Sequence, residues 1–173
     1  MSEVGIRESQ GTIMSAPTES KHPLRTVRRP DLLQRVRALI AALPETSEKV
    51  AWGAPTFRVG PTQKMFAMFN DDHHGDDRIS LWCKAPSGLQ EILVHAASER
   101  FFRPPYVGVN GWIGVYLDVE DVDWEELADL LSDAWRMTAP RKILAAHAID
   151  KTAPVKKKSP GRKRPATTKK RLG

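Results

Sequence analysis

Behind Asp31, apolar residues recur at helical spacing. Leu32, Leu33, Val36, Leu39, Ile40 and Leu43 share one stripe, while Gln34, Arg35 and Arg37 take the other faces. Asp31 reads as the N-cap of this helix and Pro44 as its stop. Beyond Pro44 the period drops to two. Phe57-Arg58-Val59, residues 64–69 (KMFAMF) and residues 78–84 (RISLWCK) alternate as strands do when one side rests on a core. In the second run, Met65, Ala67 and Phe69 share one face, and Lys64, Phe66 and Met68 the other. In the third, Ile79, Leu81 and Cys83 oppose Arg78, Ser80, Trp82 and Lys84. Residues 70–77 (NDDHHGDD) have the composition of a hairpin loop.

A second helix is expected from Ser87, with Gln90 completing a capping box and Leu89, Ile92, Leu93 and Ala96 as its apolar stripe. Phe101 to Tyr106 reads as an extended edge segment, because Pro104 and Pro105 forbid helix. Residues 112–117 (WIGVYL) alternate cleanly with Ile113, Val115 and Leu117 inward. Asp123 and Glu126 make another capping pair ahead of the best helical run, residues 124–135. Pro140 interrupts it, and a short last helix runs to His147. The order predicts an α+β fold, an antiparallel β-sheet packed on one face by helices.

Charge divides the chain. Ten of its 27 Lys and Arg residues lie in positions 151–173, which hold no acidic residue. Residues 31–150 carry 12 basic and 18 acidic side chains, so the overall net of +6 belongs to the end of the chain. The expected organisation is a disordered leader over 1–30 (with Met14 as an alternative start), one domain over 31–150, and a disordered basic tail over 151–173. The single cysteine, Cys83, cannot form an internal disulfide, no apolar run is long enough to span a bilayer, and the N-terminus lacks a signal-peptide pattern. A cytoplasmic protein without a membrane partner is expected.

With the inward residues assigned, the opposite sheet face would carry Arg58, Lys64, Phe66, Arg78, Trp82, Lys84, Trp112 and Tyr116. Basic groups can hold phosphates and rings can stack on bases, so this face reads as a nucleic-acid or ligand surface. The competing reading is a second core layer under a covering loop. The net negative charge of the domain favours that second reading.

The elements LPETSEKVAWGAPTFRVG, KMFAMF, RISLWCKA, FFRPPYVGVNGWIGVYLD and VDWEELADLLSDAWRMTAPRK stand in this order between Leu43 and His147. This stretch resembles the MmcQ/YjbR family. The resemblance implies a CyaY-type α+β fold and a DNA-binding role through a double-wing arrangement, with Lys64, Arg103, Trp112 and Arg141 at motif positions. Frataxin-like iron binding, raised by the same fold type, finds Arg35 and Arg37 where an acidic ridge would be needed.

The tail lies beyond the resemblance. Its clusters, Lys156, Lys157 and Lys158, then Arg162, Lys163 and Arg164, then Lys169, Lys170 and Arg171, suit sequence-independent contact with phosphates. Residues 160–165 (PGRKRP) make a degenerate AT-hook. The Asp- and His-rich loop at 71–77 reads as a solvated loop rather than a metal site. Cys83 reads as a small core residue, and His95 has no catalytic partner. No phosphate loop, paired-carboxylate motif or Cys-x-x-Cys is present, so neither an enzyme nor a cofactor is expected. The leading expectation is a DNA-binding, nucleoid-associated protein, with RNA as the other polyanion it would accept, whose tail supplies most phosphate contacts. The alternative is a small-ligand or protein-interaction module whose tail serves solubility or localisation.

Overall fold

The computed structural model describes residues 23–147. The expectations for residues 1–22 and for the basic tail lie outside these residues. Helix α1 (Pro30–Ala41) leads into strands β1 (Thr46–Ala51), β2 (Ala54–Val59), β3 (Lys64–Asp71) and β4 (Ile79–Lys84). Helix α2 (Leu89–Ala96), strand β5 (Phe101–Phe102), a 3-10 turn (Gly108–Asn110), strand β6 (Trp112–Tyr116) and helices α3 (Trp124–Thr138) and α4 (Arg141–Ala146) complete the domain. The six strands form one antiparallel sheet in the order β1-β2-β3-β4-β6-β5. This is the expected α+β architecture. Among the described residues, no helix is long and apolar enough to cross a membrane.

One face of the sheet holds the main core. Phe57, Val59, Phe69, Leu81, Cys83, Ile113, Val115 and Leu117 meet Leu33, Val36 and Ile40 from α1 and Leu127, Leu131, Ala134 and Trp135 from α3. The stripe expected on α1 and the inward set of β6 both stand. Trp135 Nε1 donates to the Pro44 carbonyl (2.9 Å), tying α3 to the turn after α1. Asp123 caps α3 as expected, its Oδ1 accepting from the amides of Glu125 (3.1 Å) and Glu126 (3.0 Å). Glu126 does not close the box, because its carboxylate binds Arg100.

Four local expectations are corrected. Helix α1 begins at Pro30, whose fixed φ suits the first helical position, and Asp31 is spent on a forked ion pair with Arg29 instead of capping. No side chain caps α2. Gln90 is buried and its Nε2 donates to the carbonyls of Gly108 and Trp112, which leaves Gly88 as the N-cap. On that helix Leu89, Leu93 and Val94 pack on the core, whereas Ile92 is exposed. Strand β1, sequence TSEKVA, had no alternating signal because it is an edge strand with little burial.

The fourth correction concerns β3. Arg58 pairs with Met65 but its neighbour Phe57 pairs with Ala67, so Phe66 is an extra residue on β3. Such a bulge shifts the phase of the strand. Phe66, Ala67 and Phe69 all join the main core, while Met65 and Met68 turn to the other face. Phe66 therefore does not belong to the open face.

Candidate functional site

Among the described residues, no helix packs on the second face of the sheet. Met68, Trp82 and Trp112 are buried there against Ala54, Met65, Phe102 and Val107. Trp82 is only 2% exposed and Trp112 5%. They make the second core layer, not a stacking platform. Trp82 Nε1 donates to Ser80 Oγ (3.0 Å), which fixes the indole along the sheet. Phe102 lies directly over Gly114, where any Cβ would collide with its ring, and stacks on Tyr116 at 4.5 Å. The guanidinium of Arg78 covers the same Tyr116 ring at 3.7 Å.

Beside this layer opens a cavity of about 410 Å³, lined by residues from five chain segments. Trp82, Met65 and Met68 contribute from the sheet. The first wall is the β1–β2 hairpin tip. Ala51 pairs with Ala54, leaving Trp52 and Gly53 as a two-residue turn with φ of +54° and +78°. Positive φ at both positions is the type I′ pattern, which matches strand twist and favours Asn-Gly. Here a tryptophan takes the Asn position, and its side chain is 64% exposed.

The second wall is Tyr106. Val107 N donates to the Pro105 carbonyl (2.7 Å), closing a three-residue turn around Tyr106 at φ +63°. A γ-turn of that sign is rare and strained. The phenol is 75% exposed. Gln90 pins the segment from behind by its bond to Gly108.

The third wall is the 71–78 loop. His73 meets the Trp82 ring edge-on at 4.6 Å and the His74 ring at 4.3 Å, and Tyr106 stands 6.4 Å from His73. Burial, followed by the neighbouring His74, holds the His73 imidazole below its ordinary pKa, so it is neutral at pH 7. The loop is shaped by its own carboxylates. Asp72 Oδ1 accepts from Asp77 N (2.9 Å) and Asp76 Oδ1 from Arg78 N (3.1 Å). Among the described residues, no group of His, Cys, Asp and Glu is arranged to hold a metal ion.

A strap of residues 23–29 closes the fourth side. Arg25 N donates to the Gly53 carbonyl (3.0 Å). Arg28 donates to Asp71 through its amide (2.6 Å) and Nε (2.5 Å), and to Asp77. Defined contacts therefore start ahead of the Asp31 boundary expected from sequence. Gly53 is required by its φ of +78°, and a Cβ there would meet Arg25 Cγ at 3.0 Å, so the arginine stem would have to shift.

Of the body residues expected to form a binding face, only Trp82 lines the cavity. Arg78 is committed to a forked pair with Asp118 (2.8 Å each); burial pushes the Asp118 carboxyl up, but the Arg78 pairing and the Ile79 amide together hold it below its ordinary pKa. Arg58 donates to Thr56 Oγ1 and the Gln63 carbonyl. Lys64 and Arg103 are exposed and Lys84 is half-buried. Arg141 belongs to α4, whose Ile143 packs in the helix-side core. The structure thus does not gather these groups into one basic, aromatic surface. Cys83 is buried as expected, its thiol pushed up to about 12 by burial. The tail positions lie outside the described residues. Sequence reasoning missed Trp52 and Tyr106 as site residues, although both stand in the quoted WGAP and PPYVG elements. The available signal was a bulky ring at a turn that a smaller residue would fill better.

Residues 41–137 match the family model YjbR. No curated protein matches the chain. Among solved structures, the chain is similar to Deinococcus radiodurans protein DR2400, which carries the domain DUF419. The two share 20% identity over 69% of this chain and 82% of that one, with a TM-score of 0.52. A Pseudomonas syringae protein is 15% identical over 61% of this chain and 97% of its own, with a TM-score of 0.48.

Proposed function

Since this chain belongs to the YjbR family, we propose that its folded domain is a binding module that holds a small, flat, largely apolar ligand in the open-face cavity. One observation carries the reading. Trp52 and Tyr106, on two unconnected turns, both adopt left-handed backbone and both present exposed rings to the same cavity. Strained backbone held by surrounding structure concentrates at functional sites. The size also suits, since ligand pockets span about 300–1,000 Å³ and are mostly apolar with a few polar groups. Aromatic walls favour a flat partner, because rings gain by stacking or edge contact beyond simple burial.

The test is a titration of the full chain with quinoline, a flat bicyclic probe, followed by tryptophan fluorescence and ligand-observed NMR. Binding should be weakened by Trp52→Asn and by Tyr106→Asn, substitutions that tolerate the local φ. Failure of the ring to bind, or equal binding by a variant carrying both substitutions, rejects the reading.

The ten basic residues at 151–173, a stretch that holds no acidic residue, favour a second reading. In it, Lys156 to Lys158, Arg162 to Arg164 and Lys169 to Arg171 grip DNA phosphates without sequence preference, and the folded body contributes little. Such binding should fall by about 10³ to 10⁵ between 50 and 200 mM salt if several phosphates are engaged. An electrophoretic shift of the full chain against a chain ending at Asp150, at both salt concentrations and with DNA and RNA probes, decides it. Equal affinity of the two chains for DNA sinks the tail assignment.

A further inference from the structure

We infer that the ligand of the open-face cavity is an aromatic acid, a flat ring whose carboxylate pairs with the guanidinium of Arg25. This rests on the proposed reading of the cavity as a ligand site. Among the described residues, Arg25 is the one lysine or arginine that lines the cavity. It also lacks what most arginines of this domain have. Arg28, three positions along the same strap, binds Asp71 and Asp77. Arg78 forks onto Asp118 and covers the Tyr116 ring, and Arg35 lies over Trp124. Among the described residues, Arg25 has neither a carboxylate partner nor a ring beneath its guanidinium.

The arginine is placed by its backbone and its stem. Its amide donates to the Gly53 carbonyl at 3.0 Å. Its stem then crosses the hairpin tip, where a Cβ built on Gly53 would stand 3.0 Å from Cγ and 3.1 Å from Nε. Gly53 and its neighbour Trp52 both line the cavity, so the cation sits beside an exposed ring. Arg25 is itself exposed and can be reached by a ligand without any rearrangement of the core. Its charge is felt on the cavity's loop wall. Burial and then His74 hold the His73 imidazole low, and Arg25 acts in the same direction.

The charge balance of the lining selects an anion. Asp71 is the one carboxylate among the lining residues, and both its oxygens accept from Arg28. Its side chain is 7% exposed, so it is spent on the strap and does not answer Arg25. With His73 neutral, the charge left without a partner at this cavity is positive. A guanidinium matches a carboxylate in a planar fork, and such charge-assisted bonds are about twice as strong as neutral ones. A neutral ligand would gain ring burial alone. A cationic ligand would be drawn by the faces of Trp52 and Tyr106 but would meet Arg25 as a like charge. The rings and the arginine therefore ask for different ends of one molecule, an aromatic body and an acidic edge.

The experiment titrates the full chain at pH 7.5 with quinoline, quinoline-3-carboxylate, its neutral isostere quinoline-3-carboxamide and the cationic 3-(aminomethyl)quinoline, read by calorimetry and ligand-observed NMR. The carboxylate should bind about tenfold more tightly than the carboxamide, the low end for hydrogen bonds to charged groups because Arg25 is exposed and partly screened. Arg25→Gln and Arg25→Met keep an unbranched stem over Gly53 and leave the backbone bond to its carbonyl in place. Each should erase the carboxylate's advantage while retaining quinoline binding. Both variants keep every basic residue of positions 151–173, so a lost preference cannot come from the end of the chain. Equal affinity for carboxylate and carboxamide, tightest binding of the ammonium compound, or a carboxylate preference that survives in both variants overturns the inference. Quinoline binding by the wild type then leaves the cavity reading intact. Binding by none of the four compounds rejects the cavity reading itself.

Discussion

Trp52 and Tyr106 face one cavity from two separate turns, and each holds its ring there on a backbone of positive φ. Neither ring is needed by the sheet beneath it, for both are largely in solvent. A left-handed non-glycine residue costs about 1–2 kcal/mol. Local strain and solvent exposure in the same two residues separate binding from stability, and that separation can be measured.

Trp52→Asn places the residue that a type I′ turn prefers at the hairpin tip. The variant should be more stable by about 1 kcal/mol, which for a domain of this size raises Tm by roughly 3–6 °C. Quinoline binding should fall in the same protein. A thermal melt beside a fluorescence titration checks both. A drop in Tm would mean that the indole is a packing residue after all.

Trp82 and Trp112 should behave in the opposite way. Both are buried in the layer beneath the cavity, so truncation to Ala removes a large apolar volume from the fold. Each substitution should destabilise by about 3–5 kcal/mol. Urea denaturation gives the number, and near-native stability of either variant would return that ring to the surface.

Gly114 lies under Phe102, and Phe102 in turn carries Tyr116 and Arg78. Gly114→Ala forces the phenylalanine ring off its seat. A loss of about 1–3 kcal/mol is expected for overpacking at a site where the neighbour cannot withdraw without breaking a stack. Unchanged stability by denaturant melt would show that the β5 edge moves freely.

Acid should loosen the cavity through His73. Its folded-state pKa lies below its ordinary value of 6.5, so the unfolded chain binds the proton more readily. The stability contributed by the neutral imidazole is complete above 6.5 and is lost as pH falls through the folded value. Melts at pH 7.5, 6.5 and 5.5 should show a steeper fall for the wild type than for His73→Phe. Parallel curves would remove His73 as the titrating group.

Much of the fold was legible from periodicity. The α1 stripe, the clean alternation of β6 and the Asp123 cap of α3 could be read because each satisfies its element locally. Gln90 misled for a physical reason: a side chain three residues from a serine can cap a helix, but its amide here reaches 18 residues onward to Gly108 instead. Strand β1 was silent because an edge strand needs no apolar side. The site was harder still. Buried Trp82 and Trp112 look, in sequence, no different from rings offered to a ligand; which face is covered depends on the 104–112 segment and the 71–78 loop folding over the sheet. For Trp52 and Tyr106 the sequence offers only a bulky ring at a turn position; the positive φ that marks both becomes visible in the folded backbone.

The additional residue at Phe66 sets the length of β3 on two counts. Ahead of it the strand sends Met65 toward the cavity, and behind it Ala67 and Phe69 go to the helices. Deleting Met65 would remove the extra residue, restore regular alternation and put Phe66 on the cavity face in its place. An aromatic ring would be pulled from beneath the helices, and the methionine floor of the cavity would be rearranged by the same event. Hydrophobic core and cavity floor thus share a single frame of reading along this strand, and neither can drift in sequence length without the other.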